Sequence, residues 1–332
     1  MQQVTIIGLG LIGGSIGLAL KRWSAANQDA LRIVGFDDDM DKQNQAKRMG
    51  AVDATEWSLT NAVGNADIVV VATPVGSMRA VFENIGDKLK QGAIVTDTGS
   101  TKTDVLEWSK ALPNHVDFVG GHPMAGKSES LDAATPDIFA GATWVICPST
   151  TASESAIQNV LGIVSATGAE SFFVDPVEHD AYVAGISHLP FVVAATLTNA
   201  VTADPSWRDM RSLASSGFKD TTRLALGNPE MHRDILLTNG PAVARWIDTM
   251  IASLQETRGL LTDTSTDTGP ELLAFLSRAQ EQRALLEIKH ERAAEQQEVS
   301  PRAEMGTMSD QVGRMFLGGF GRKRGKERTP RS

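Results

Sequence analysis

Short apolar runs and amphipathic stretches alternate through the first half of the chain. Val4–Ile7 reads as a strand and Gly14–Trp23 as a helix, and Arg32–Phe36 and Met40–Met49 repeat the pair. Asp67–Thr73 is a continuous apolar run that ends at Pro74, the pattern of a parallel strand buried on both faces. Helices are expected over Ser77–Leu89, Lys102–Ala111 and Ser153–Ala166. Strands are expected over Ala93–Thr96, Asp117–Gly120, Thr143–Cys147 and Ser171–Val174. The alternation predicts an α/β domain built on a doubly wound parallel sheet.

The pattern changes after Pro176. Val177–Val201 is one long helical stretch, which Pro190 should kink. Trp207–Leu226, Glu230–Leu261 and Glu271–Gln297 follow as helices, separated by Asn228-Pro229 and by the Ser/Thr/Asp/Gly stretch before Pro270. The expected organisation is a dinucleotide-binding domain over 1–175, an all-helical substrate-binding and dimerisation domain over 176–298, and a flexible basic tail over 299–332. The tail from Ser300 carries eight Lys or Arg against three Asp or Glu. The helices carry more apolar surface than one small bundle needs, so a homodimer through this half is expected.

Composition narrows the function classes. The 332 residues are 42% hydrophobic and 21% charged, with a formal net charge of −9. An acidic chain is poorly suited to bulk attraction of nucleic acid. The single cysteine, Cys147, lies in an apolar run and is expected to be a buried strand thiol. A strand signal begins at Val4, ahead of which there is no charged leader, and no apolar run reaches the ~18–20 residues of a membrane span. A cytoplasmic protein without a membrane partner is therefore expected. No His-Glu-x-x-His, Cys/His cluster or carboxylate-rich loop suggests a metal.

Gly8-Leu-Gly10-Leu11-Ile12-Gly13 follows the first strand and opens the first helix. Gly8 permits the tight turn, Gly10 lets a pyrophosphate approach the backbone, and Gly13 lets helix and strand pack closely. The turn's residues Leu11 and Ile12 present the helix N-terminus, with its unpaired N–H groups and positive dipole end. Asp37 follows the second strand, where a carboxylate would meet ribose hydroxyls and repel a ribose phosphate. NAD is thus the expected cofactor of a Rossmann-type domain. Thr73 and Pro74 end a later strand at the same ligand edge. The competing readings are a ligand-free structural turn and, for Asp37, a surface loop acid beside Asp38 and Asp39.

His122 ends a strand at that edge among Gly120, Gly121, Pro123 and Gly126, where an imidazole can accept a proton near neutrality. Ser100, at the end of another strand, could orient it. A histidine merely hydrogen-bonded in a turn is the other reading. His179 precedes Asp180 near a helix start and reads as a capping or interface residue. Lys219 and Arg223 lie four apart and would put two cations on one helical face, which suits an anionic substrate. The alternative is a solvated face paired with Asp220.

Read together, the segments GLGLIGGS (8–15), DTGSTK (97–102), GGHPMAG (120–126), EHD (178–180), SHLP (187–190) and GFKDTTR (217–223) resemble the prephenate/arogenate dehydrogenase family over residues 4–261. The resemblance implies NAD-dependent oxidative decarboxylation of prephenate to 4-hydroxyphenylpyruvate in tyrosine biosynthesis, or of arogenate to tyrosine. It implies that His122 polarises or deprotonates the ring hydroxyl and that Ser100 holds His122 beside the nicotinamide. Arg223 and Lys219 would bind substrate carboxylate, and His188 would line the cleft. Three departures from the family pattern fall on expected wall positions: Lys127 and Ser128 after HPMAG, Phe191 after SHLP, and His232 before Arg233-Asp234. Lys127 and His232 would favour the extra negative charge of prephenate. A β-hydroxyacid dehydrogenase and a non-catalytic NAD-binding protein are the competing functions.

Overall fold

The computed structural model describes residues 1–28, 30–126, 129–265 and 267–299, with side chains described up to residue 287. Eight strands form one sheet: β1 (Gln2–Ile7), β2 (Leu31–Phe36), β3 (Ala54–Thr55), β4 (Ile68–Val71), β5 (Ile94–Asp97), β6 (Asp117–Pro123), β7 (Thr143–Pro148) and β8 (Glu170–Phe173). Their order across the sheet is β3-β2-β1-β4-β5-β6-β7-β8. Helices α1 (Leu11–Asn27), α2 (Met40–Arg48), α3 (Leu59–Val63), α4 (Val75–Ile85), α5 (Thr103–Trp108) and α6 (Glu154–Thr167) connect them.

Strand β4 explains how the sheet is held. All four of its residues are buried, and its side chains alternate between faces. Ile68 and Val70 join Val4, Ile6, Ile16, Leu20 and Val160 on one side, while Val69 and Val71 join Met78, Phe82 and Val95 on the other. A strand buried on both faces must be apolar throughout, which is why this segment reads as a run and not as an alternation.

Six strands run parallel, as expected, but β7 pairs antiparallel with β6, and β8 follows β7. A parallel continuation needs a crossover of a dozen or more residues, usually a helix. Between β6 and β7 the described residues offer only a short turn, Leu131–Ala133, so the chain doubles back. The two-residue strand β3 is too short to leave a sequence signal. Cys147 is buried as expected, its thiol donating to the Val174 carbonyl at 3.1 Å, and burial pushes its pKa up to about 12.

The second half is helical: α7 (Pro176–Val183), α8 (Leu189–Thr202), α9 (Trp207–Met210), α10 (Ser216–Thr222), α11 (Pro229–Thr238), α12 (Gly240–Thr262) and α13 (Gly269–Val299). Three expected helices are interrupted. A π turn at Ala184–His188 divides the stretch from Pro176 to Thr202, where only a proline kink was expected. Trp207–Leu226 breaks into short pieces at Arg211–Ala214, ahead of Ser215-Ser216-Gly217. Glu230–Leu261 breaks at Asn239, where Gly240 and Pro241 restart the helix.

The stretch Pro176–Thr202 is, by length and composition, long and apolar enough to cross a membrane, which corrects the expectation drawn from apolar runs alone. The segment nevertheless carries His179, Asp180 and His188 buried against its own chain. The tail and residues 127 and 128 lie outside the described residues.

Candidate active site

The carboxyl ends of β1, β2, β4, β5 and β6 lie along one edge of the sheet because these strands are parallel. The order reverses between β2 and β4, with β1 between them, and the crevice at such a switch point is where open α/β sheets bind ligands.

The glycine turn is built for close approach. Gly8 has φ +92°, and a Cβ there would meet the Ala72 carbonyl oxygen at 2.6 Å. A Cβ on Gly13 would sit 1.9 Å from the Gly8 carbonyl oxygen. Gly10 differs: a Cβ on it would meet nothing within 4 Å. It caps α1, whose N-terminus has no side-chain hydrogen bond and no acidic residue in its first turn, where Leu11 and Ile12 stand. Bare N–H groups beside open space fit a pyrophosphate. Thr73, just past β4, has a buried hydroxyl without a partner, and Pro74 caps α4 beside it. Asp37 is not a loose surface acid. Its carboxylate accepts the Leu9 N–H at 2.8 Å and the Asp39 N–H at 2.9 Å, and Lys42 approaches to 3.8 Å. The residues present therefore fit a dinucleotide.

A buried ion pair fixes the neighbouring strand ends. Lys102 is fully buried, and its ammonium bonds the Asp97 carboxylate and, at 2.8 Å, the Gly121 carbonyl. Asp97 also accepts the N–H groups of Gly99 at 2.7 Å and Gly121 at 3.0 Å. The backbone just before His122 is thus clamped from both sides.

His122 is buried, and its Nδ1 lies 2.9 Å from Nε2 of His179. His179 Nδ1 lies 2.8 Å from the Asp180 carboxylate. That carboxylate also accepts the N–H groups of Lys102 at 2.8 Å and Thr103 at 2.9 Å. Burial holds the His122 pKa well below the ordinary histidine value, and the neighbouring charges of His179, Lys102 and His188 lower it further. Burial raises the pKa of Asp180, but hydrogen bonds from His179, Thr103 and the Lys102 backbone bring it below the ordinary value.

Two expected arrangements are corrected here. Ser100 makes no hydrogen bond to His122; the orienting partner is His179, from the helical half. The adjacent His-Asp of EHD was the sequence signal for this pair. His188, expected to line the cleft, is fully buried: Nδ1 faces the Asn239 amide at 3.2 Å, and Nε2 is buried without a partner among the described residues. The Asn239 amide also donates to the Asp180 carbonyl at 2.7 Å. Burial brings His188 down to about 4.

Phe191 and His232 stack in parallel with ring centroids 4.1 Å apart, and Phe191 lies 6.0 Å from His188. Burial lowers the His232 pKa. Lys219 and Arg223 are exposed on α10 and the turn after it, and neither makes an ion pair among the described residues, so the pairing with Asp220 is absent. Lys127 and Ser128 lie outside the described residues. No cluster of three or more possible metal ligands occurs among the described residues.

A family model described as the nucleotide-binding domain of prephenate dehydrogenase matches residues 16–173, and one described as its dimerization domain matches residues 175–278. The chain belongs to the prephenate dehydrogenase family. The prephenate dehydrogenase of Bacillus subtilis is 33% identical over 261 residues, 77% of this chain and 69% of that protein. A prephenate dehydrogenase from A. aeolicus, crystallised with hydroxyphenyl propionate and NAD+, matches with a TM-score of 0.78 at 27% identity, covering 86% of this chain and 98% of that one. Synechocystis arogenate dehydrogenase matches with a TM-score of 0.71 at 28% identity, covering 86% of this chain and 100% of that one. Membership in the prephenate dehydrogenase family removes the β-hydroxyacid dehydrogenase reading.

Proposed function

We propose that this chain catalyses the NAD+-dependent oxidative decarboxylation of prephenate to 4-hydroxyphenylpyruvate, a step of tyrosine biosynthesis. One observation carries the mechanism. His122 is a buried imidazole held neutral at the ligand edge, with one nitrogen bonded to His179 and Nε2 unclaimed among the described residues.

NAD+, held by Gly8, Gly10, Gly13, Asp37, Thr73 and Pro74 with the N-terminus of α1 at Leu11 and Ile12, would supply the acceptor for a hydride from the ring carbon bearing the hydroxyl. Loss of that hydride leaves positive charge on the carbon, and His122 Nε2 relieves it by taking the hydroxyl proton. The ring carboxylate leaves as carbon dioxide, its electron pair completes the aromatic ring, and His122 returns the proton to the phenol oxygen. No proton is gained or lost overall. General-base help of this kind is typically worth ~10²–10⁴-fold in rate. Ser100 approaches the nicotinamide in this reading, and Arg223 with Lys219 binds the carboxylates of the dianion. Their exposure without an acidic partner among the described residues supports this role. Phe191 and His232 shape the substrate end, with His188 packed behind Phe191, and the family resemblance assigns Lys127 and Ser128 to the same substrate. Arogenate is the second candidate substrate, favoured by the likeness to the Synechocystis enzyme. We also infer a cytoplasmic homodimer; the dimerization-domain match and exposed Ile251, Leu254, Leu273 and Leu276 support its helical interface.

The test compares wild type with His122→Asn. The variant is expected to lose ~10²–10⁴-fold in kcat while its NAD+ affinity stays nearly unchanged. Near-normal turnover by His122→Asn would refute the role assigned to His122.

A further inference from the structure

We propose that His179 and Asp180 are positioning residues that fix the tautomer of His122, keeping Nε2 a bare proton acceptor. The inference rests on the dehydrogenase reading only for its consequence in turnover; the hydrogen bonds stand independently.

An ionised carboxylate can only accept, so the hydrogen in the 2.8 Å contact between Asp180 and His179 lies on His179 Nδ1. Asp180 is committed to its ionised form by the N–H groups of Lys102 and Thr103, which also need an acceptor. A neutral imidazole has one donor and one acceptor nitrogen. His179 Nε2 is then an acceptor, and the 2.9 Å contact to His122 Nδ1 requires the hydrogen on His122. The only nitrogen of His122 left without a hydrogen is Nε2, the atom with no partner among the described residues. A second proton on His179 would reverse that bond and move the His122 hydrogen to Nε2, which destroys the base. The buried Lys102 ammonium near His122 opposes a further cation there.

The relay also spans the two halves of the chain. His122 stands on β6, while His179 and Asp180 stand on α7. Asp180 is anchored to the start of α5 through two backbone N–H groups, and Asn239 holds its carbonyl from the α11–α12 junction. The base is therefore complete only when the helical half is docked on the sheet.

Nitrogen-15 spectra of the imidazoles, recorded at neutral pH on the full chain with NAD+ bound, test this directly. Resonances would be assigned by difference with His122→Asn and His179→Gln. The expected spectrum has a protonated Nδ1 and a bare Nε2 on His122, and a protonated Nδ1 on His179. A His122 that carries its hydrogen on Nε2 overturns the proposal. In turnover, His179→Leu should lose about 10²–10⁴-fold in kcat with little change in KM. His179→Gln, whose carbonyl can accept from His122 Nδ1, should retain more activity than His179→Leu. A folded His179→Leu with wild-type kcat also overturns the proposal, and if that variant does not fold the wild-type spectrum decides. A protein with the expected spectrum that oxidises neither prephenate nor arogenate would sink the dehydrogenase reading and leave the relay standing.

Discussion

At the scale of single residues, chemistry and structure are combined in the same side chains. Asp37 is the plainest case. Its carboxylate ties Leu9 of the glycine turn to the end of β2, so it shapes the cradle as well as offering charge to a ribose. Replacement by alanine would remove both roles, whereas Asp37→Asn keeps an acceptor for Leu9 and removes the charge. The expected outcome is a narrower preference for NAD+ over NADP+, measured as the ratio of kcat/KM values. An unchanged ratio would mean that the ribose is read elsewhere. His122 and Asp37 were legible because each ends a strand at the ligand edge. The pairing of His179 with His122 was not legible because the two lie 57 positions apart in sequence. Periodicity along the chain carries no information about such a pairing.

At the scale of elements, strand and helix starts follow local chemistry closely. Asp39, Ser58, Ser153, Asp175 and Asn228 each cap the helix that follows with a side-chain oxygen. Asn239 precedes α12 but does not cap it with its side chain; its amide goes to Asp180 and His188 instead. Pro241, which has no N–H to continue the ladder of the preceding helix, is why one expected helix became two. The π turn at Ala184–His188 lies in the same region, and such turns are frequent at functional sites. Gly185 there leaves room for Trp246, whose ring would be 2.7 Å from an added Cβ. The junction of β5, α5 and β6 depends on the Lys102–Asp97 pair, both members of which are fully buried. Breaking a buried pair by removing one partner typically costs about 3–5 kcal/mol, since the remaining charge is left uncompensated. Lys102→Met should lower stability by about that amount in urea denaturation. A loss below about 1 kcal/mol, the scale of an exposed pair, would contradict the burial argument.

At the scale of the whole molecule, the sheet and the helical half share one core: Phe191 and Ile235 pack into the same cluster as Val69, Val71 and Phe82. The two-part plan was legible because a change from strand–helix alternation to helices alone is a long-range pattern. The reversal of β7 was not, because a strand's direction in the sheet leaves no mark on its own residues. His122 and His188 are buried where the two halves meet, and such buried histidines make stability depend on pH. An unfolded histidine takes up a proton near 6.5, whereas folded His188 does so only at about 4 and folded His122 well below the ordinary value. Between those limits the unfolded state binds more protons, so stability is complete above pH 6.5 and falls as the pH drops. Each such group contributes a slope of at most about 1.4 kcal/mol per pH unit in that window. Urea midpoints measured from pH 7 to pH 4 should decline accordingly. A flat profile would show that these side chains are solvated or charged in the folded state.

The central claim is the reaction itself, and purified full-length protein with NAD+ and either prephenate or arogenate tests it most directly. NADH and carbon dioxide would be followed together in each mixture. The account predicts one NADH and one carbon dioxide for each prephenate consumed, with a higher kcat/KM for prephenate than for arogenate. Intact NAD+ binding without turnover of either compound would contradict it.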